Sequence, residues 1–159
     1  MEQICKEIVK ILKEQDKMIA FMESCTGGFL ANELTNISGA SNVLKVSLVT
    51  YSNEYKNKLG VNNDIINKYT VYSIETAREM AKVVSEFADS NIGVGVTGEL
   101  GNTVNQENKV YYTIYNREKN EYINKEMIAI GNKRKDMKEY VAKRIFTDIL
   151  GGILWIIKN

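Results

Sequence analysis

Between residues 2 and 15, Ile4, Ile8, Val9, Ile11 and Leu12 recur at helical spacing with Lys and Glu between them, which predicts an amphipathic helix lying on a sheet. Met18 to Met22 then runs apolar and predicts a strand at 17–22, after which Phe29 to Ile37 returns to helical spacing and predicts a helix at 27–37. Ser38-Gly39-Ala40-Ser41 punctuates the chain. Val43 to Tyr51 is β-branched and apolar enough for a second strand, and Ser52-Asn53 offers an N-cap to a short helix at 53–59 that Gly60 ends. Ser73 caps a predicted helix at 74–88, where Ala77, Met80, Ala81, Val84 and Phe87 form one apolar stripe and Glu75 sits at the favourable end of the dipole. Ile92 to Thr97 reads as a glycine-punctuated strand and Gly98 to Asn108 as a polar loop. Val110 to Tyr115 and Tyr122 to Ile130 alternate as a hairpin around Glu118-Lys119-Asn120. A last helix runs from about 134 to 157, with Met137, Val141, Ile145, Ile149 and Ile153 on one side. The expected fold is α/β: a three-layer α/β/α sandwich whose sheet is mostly parallel and made mixed by the hairpin.

Composition narrows the chemistry. The chain has 159 residues, 44% of them hydrophobic and 26% charged, the make-up of one globular domain over residues 1–159. Its formal charge of +1 supplies no global field toward nucleic acid or a membrane, and no basic stripe supports DNA binding. No apolar stretch reaches the roughly 20 residues that cross a bilayer, and the amphipathic start is no signal peptide, so a cytoplasmic location is expected. Histidine is absent, which excludes Ser-His-Asp and Cys-His catalysis and HExxH zinc sites. Two cysteines, Cys5 and Cys25, make neither a disulfide framework nor a zinc site. Acid–base work falls to Lys, Tyr, Asp, Glu or Cys.

The chemistry is expected at Glu23-Ser24-Cys25-Thr26-Gly27-Gly28, a glycine-tight turn between a strand and a helix. Such turns bind anions and mount nucleophiles, because free N–H groups and the positive end of the helix dipole face the turn. If consecutive strands are parallel neighbours, Tyr51 and Lys56 come to the same end of the sheet as Ser24. Lysine activates a serine only when neutral, and at an ordinary pKa near ~10.4 roughly one in a thousand is neutral around pH 7.4. Burial lowering the value by about 3 units would leave on the order of half neutral. Serines that cap helices and lysines on short helices ordinarily have no catalytic role, so convergence of the three is the feature to look for.

Three ordered motifs, Glu23 to Gly28, Ser38-Gly39-Ala40-Ser41, and Val49-Thr50-Tyr51-Ser52-Asn53-Glu54 with Lys56, resemble the C-terminal domain family of the competence-damage-inducible protein CinA. The resemblance continues through Leu59-Gly60-Val61, Val71-Tyr72-Ser73, the Ala77-Met80-Ala81 helix, Thr97-Gly98, and Gly131-Asn132 with Arg134. It covers nearly the whole chain and implies a stand-alone form without the family's N-terminal domain. Members are similar to amidohydrolases that convert nicotinamide mononucleotide to nicotinate mononucleotide and ammonia, in pyridine-nucleotide salvage. By that resemblance Ser24 is the nucleophile, Lys56 its general base and Tyr51 a hydroxyl assisting proton transfer, with no metal and no cofactor. The substrate phosphate would sit at Thr26, Gly27 and Gly28 or at Thr97-Gly98, and both cradles stay open at this point. Arg134 matches a family arginine at the substrate. Glu23 would orient Lys56, bind a ribose hydroxyl or make a structural hydrogen bond.

The chain departs from the family where T-G-I-A-G-P and a following K-P-V-G are expected, reading Thr97-Gly98-Glu99-Leu100-Gly101-Asn102 and then Gln106-Glu107-Asn108-Lys109-Val110. Lost prolines and a glycine imply a different loop path, and Glu99 would repel a phosphate beside it. Two family glycines before V-T-Y are replaced near Val46 and Ser47. Cys25 is expected as a packed residue and Lys133-Arg134-Lys135 as a solvated helix start. Tyr111, Tyr112 and Tyr115 are expected in a sheet or subunit interface, which with the family suggests a homo-oligomer. The alternative to the amidohydrolase is a non-catalytic binding module serving competence or DNA-damage responses through protein contacts.

Overall fold

The computed structural model describes residues 1–101 and 107–158, with side chains as far as Leu154. Six helices are described: α1 (Glu2–Glu14), α2 (Phe29–Thr35), α3 (Asn53–Lys58), α4 (Asn63–Tyr69), α5 (Ile74–Ala88) and α6 (Arg134–Lys158). Five strands, β1 (Ile19–Glu23), β2 (Leu44–Val49), β3 (Ile92–Gly98), β4 (Lys109–Asn116) and β5 (Glu121–Ile128), form one sheet in the order β2-β1-β3-β4-β5. β2, β1 and β3 are parallel, and β4 and β5 add an antiparallel hairpin. The expected mixed α/β sheet is therefore present.

β1 is buried along its whole length because both of its faces are covered. Ile19 and Phe21 point into a core shared with α1, α2 and α6, whereas Ala20 and Met22 meet Met80, Val84 and Ile66 of α5 and α4. That period of two is what makes β1 read as a continuous apolar run rather than an alternating one. On the second face α5 approaches β3 with its backbone. A Cβ at Gly93 would stand 1.9 Å from the Ala81 carbonyl oxygen, and one at Gly95 would stand 2.2 Å from that of Ala77. Glycine is required there by contact, and β3 stays flush with the helix above it.

Ser52 and Ser73 cap as expected, accepting the N–H groups of Tyr55 and Thr76. Two differences from the sequence expectations have physical causes, and the expected place of Tyr111, Tyr112 and Tyr115 in the sheet is met by strand β4. Helix α4 was not anticipated, because its seven residues offer only Ile65 and Ile66 as an apolar signal; Asn62 starts it by accepting the Asp64 N–H. Phe87 leaves the α5 stripe and is 58% exposed, since the helix ends one residue later at Ala88 with Asp89 in the left-handed conformation. The tyrosine-rich strand β4 lies between β3 and β5 and has no free edge. Tyr112 is buried with its hydroxyl donating to Asp148, and Tyr115 stacks on Tyr122. Among the described residues no helix is long and apolar enough to cross a membrane.

These contacts set opposite expectations for two glycines. Gly95→Ala drives a methyl group into α5 and should cost about 3 kcal/mol or more, whereas Gly151→Ala, where a Cβ meets open space on α6, should gain about 1 kcal/mol. Urea denaturation of the two variants checks both.

Candidate active site

Strand β1 leads to β2 on one side and lies against β3 on the other, so its carboxyl end is a switch point, where open α/β sheets leave a crevice. A cavity of about 320 Å³ opens there. Ser24 and Cys25 enter it from the end of β1, Tyr51, Asn53 and Lys56 from the segment after β2, Gly98, Glu99 and Leu100 from the end of β3, and Arg134 from the start of α6. Val71 and Tyr72 complete the wall from the segment before α5.

The turn holding Ser24 is fixed by Glu23. This carboxylate is fully buried and accepts from the Gly28 and Leu30 N–H groups through Oε2, at 3.0 and 3.1 Å, and from the Ala31 N–H through Oε1, at 3.0 Å. Ser47 adds a longer hydroxyl contact at 3.4 Å. The start of α2 is thus capped by a side chain five residues upstream of Gly28. Gly27 and Gly28, with φ of +62° and +91°, let the chain double back.

That cap changes the expected anion cradle. The Gly28 N–H is held by Glu23 and the Gly27 N–H by the Ser24 carbonyl, so neither is free for a phosphate. Thr26 is 1% exposed and lies outside the cavity lining. Thr97 is likewise buried, its hydroxyl donating to the Val71 carbonyl at 2.9 Å; of that second cradle only Gly98 faces the cavity. Glu23 neither touches Lys56 nor reaches the cavity, because both of its oxygens are engaged with α2. Its structural reading is the one the geometry supports.

Lys56 is 1% exposed, and its Nζ stands 3.1 Å from Ser24 Oγ and 2.6 Å from the Thr50 carbonyl oxygen to which it donates. Helix α3 delivers it inward: Ser52 caps the first turn, and Lys56 is the one buried residue of this short helix. Burial lowers the Lys56 pKa from 10.5 to about 8, opposed weakly by the neighbouring Cys25. About one molecule in five then holds a neutral amine near pH 7.4. The Cys25 thiol is packed away at 4% exposure, and burial pushes it up to about 12, so it supplies little thiolate.

Tyr51 is 65% exposed at the mouth of the cavity, where its hydroxyl oxygen accepts a hydrogen bond from Arg134 Nη2 at 3.0 Å. One turn along α6, Lys138 Nζ occupies the space that a Cβ on Gly27 would approach to 3.0 Å. Two cations of α6 therefore border the serine turn. Asn53, Val71, Tyr72, Leu100 and Lys138 were not singled out from the sequence. Asn53, Val71, Tyr72 and Leu100 lie within motifs or segments that the sequence marks but carry no chemistry that would single them out there, whereas Lys138 is placed by tertiary packing alone. In the departing loop, residues 102–106 fall outside the described residues. Among the described residues no group of three His, Cys, Asp or Glu side chains is placed to hold a metal ion.

The fold and the site together define an α/β protein with a buried serine–lysine pair at the switch point of its sheet. The model of the CinA C-terminal domain matches residues 1–151, and the chain belongs to that family. It is 38% identical over 150 residues to a CinA-like protein of Petrotoga mobilis, covering 94% of this chain and 36% of the relative. It is 47% identical over 109 residues to a putative competence-damage inducible protein of Alkaliphilus oremlandii, covering 68% and 26%. The chain thus spans about a quarter to a third of the length of these curated relatives. In fold it is similar to a competence or damage-inducible protein from Enterobacter asburiae, with a TM-score of 0.87, 24% identity and coverage of 96% of this chain and 97% of that one.

Two measurements probe the buried charges. Glu23→Gln puts an amide NH2 against N–H donors of α2 and should cost about 3 kcal/mol in urea denaturation. For Lys56 the folded pKa lies below the unfolded one, so between pH 8 and 10.5 the unfolded chain binds more protons. The Lys56 contribution therefore favours the folded state as pH rises, so the stability of wild type relative to Lys56→Met should increase by on the order of 3 kcal/mol across that window, while above about pH 9 the raised Cys5 and Cys25 thiols lower the stability of both proteins.

Proposed function

We propose that this chain is an amidohydrolase that cleaves the carboxamide of nicotinamide mononucleotide, giving nicotinate mononucleotide and ammonia. The observation that carries the reading is the 3.1 Å contact between Lys56 Nζ and Ser24 Oγ in a site where burial brings the lysine pKa to about 8. Family membership adds the expectation of this substrate, which the names of the relatives do not state.

In the proposed reaction, neutral Lys56 accepts the proton of Ser24 as Oγ attacks the amide carbon, forming one C–O bond and a tetrahedral oxyanion. The ammonium of Lys56 returns the proton to the departing nitrogen as the C–N bond breaks, releasing ammonia and leaving an acyl ester on Ser24. Water adds to that ester with Lys56 again accepting the proton, and nicotinate mononucleotide leaves as Ser24 is reprotonated. The Thr50 carbonyl anchors the amine, so its remaining valence is directed at the serine. Tyr51 and Arg134 act as a coupled pair at the cavity mouth, with the guanidinium available to the substrate's anionic end. A homo-oligomer belongs to the same proposal; exposed Val49, Tyr51 and Tyr55 beside edge strand β2 are its candidate contact residues.

Purified protein should release ammonia from nicotinamide mononucleotide, with kcat/KM rising as pH passes through about 8 and Lys56 becomes neutral. Ser24→Ala and Lys56→Ala should each lower turnover by about 10³-fold or more without loss of the fold by circular dichroism. A well-folded wild type with no turnover would instead favour the binding module.

A further inference from the structure

The cavity has a polar side made by Ser24, Lys56, Asn53 and Arg134, and a second side where Val71, Tyr72 and Leu100 bring apolar surface. Tyr72 is unusual within it. Its side chain is 47% exposed, yet the backbone that carries it is tied down by several side-chain hydrogen bonds.

Thr70, two residues earlier, has φ of +70° and ψ of 167°, a conformation that a β-branched residue adopts only under constraint. The constraint comes from hydrogen bonds to its carbonyl and hydroxyl. The Thr70 carbonyl accepts hydroxyls from Ser73 at 2.9 Å and Thr76 at 2.8 Å, and the Thr70 hydroxyl accepts the Tyr72 N–H at 3.3 Å. The hydroxyl of Thr97, fully buried on β3, donates to the Val71 carbonyl at 2.9 Å. Four side chains thus hold three consecutive residues in an unfavourable turn. The turn presents an aromatic ring to the cavity that shares its lining with the Ser24–Lys56 pair.

We propose that Tyr72 is a specificity-determining residue, the platform on which a planar aromatic ring attached to the scissile carboxamide stacks. The identity of that ring rests on the proposed function. A flat π-face suits a pyridine ring and offers nothing to an aliphatic amide, so the residue selects aromatic carboxamides. A rigid backbone matters because a stacked ring fixes the direction of its carboxamide toward Ser24 only if the platform does not move.

The test is equilibrium binding of nicotinamide mononucleotide, and of ribose 5-phosphate as the ringless control, to the Ser24→Ala protein with and without changes at Tyr72. Tyr72→Ala should weaken the mononucleotide by about 10-fold or more and leave ribose 5-phosphate within about 2-fold, while Tyr72→Phe, which keeps the ring, should bind like the parent. In the Ser24-containing protein, Tyr72→Ala should raise KM for the mononucleotide more than it lowers kcat. Equal binding with and without the ring of Tyr72, equal loss for both ligands, or no binding of the mononucleotide to the parent would overturn the platform. Ring-dependent binding with no ammonia release by wild type would sustain it and sink the amidohydrolase, whereas ammonia release indifferent to Tyr72→Ala would do the reverse.

Discussion

The buried carboxylate of Glu23 is the constraint on which the site depends. Strand β1 ends in a residue whose two oxygens are saturated by the first turn of α2, so strand and helix are joined by charge-assisted hydrogen bonds as well as by the chain between them. The residues in between have little freedom left. Ser24 follows the carboxylate directly, and Gly27 and Gly28 absorb the reversal with positive φ, so the position of Ser24 is set by the most buried strand of the sheet. A phosphate at the helix start would compete for the same N–H groups, which is why the positive end of this helix is better understood as a structural clamp than as an anion site.

The second charged group is used in the opposite sense. Glu23 is buried with its charge matched by N–H donors, whereas Lys56 is buried against a carbonyl, a hydroxyl and a thiol. Nothing among these favours the ammonium strongly enough to offset desolvation, so the pKa falls. Stability and proton affinity are thereby linked at one atom: the burial that lowers the Lys56 pKa also makes the protonated folded protein less stable than a well-packed apolar residue would. Arg134, at the start of α6, lines the cavity and donates to the Tyr51 hydroxyl, and Lys138 one turn on stands against Gly27.

Much of this could be read in the sequence, and the parts that could not share a cause. Long elements with strong periodicity, α1, α5, α6 and β1, were legible because one apolar stripe or run carries each of them. Ser24, Tyr51 and Lys56 were legible as a group because consecutive parallel strands bring their carboxyl ends together, a rule of topology rather than of any single residue. Helix α4 was hidden by its shortness, and the exposure of Phe87 by a helix end that periodicity does not mark. Glu23 was ambiguous because a carboxylate beside a glycine turn looks the same whether it faces a ligand or a helix, and only the direction of its oxygens decides. Tyr72 stood within a motif but carried no sign of its place at the cavity, because its backbone is held by Thr70 and Thr97, residues separated by 27 positions and joined only through the fold.

The division of labour along the cavity wall follows from the same geometry. On the sheet side Ser24 lines the cavity, and Glu23 and Thr97 stand behind the wall, held by the core so that they cannot shift without disturbing β1 or β3. Residues arriving on short connections, Tyr51, Asn53 and Tyr72, keep exposed side chains and are set by caps and hydroxyl contacts. Substitutions at Glu23 and Thr97 therefore register as lost stability, whereas substitutions at the second set change what lines the cavity while leaving the fold in place. The serine–lysine pair spans the two sets, since Ser24 hangs from the sheet and Lys56 from a capped helix of six residues. Its 3.1 Å separation is thus maintained by the Lys56–Thr50 hydrogen bond, the tie that links α3 back to the end of β2 and sets how far the amine can move from Ser24 Oγ.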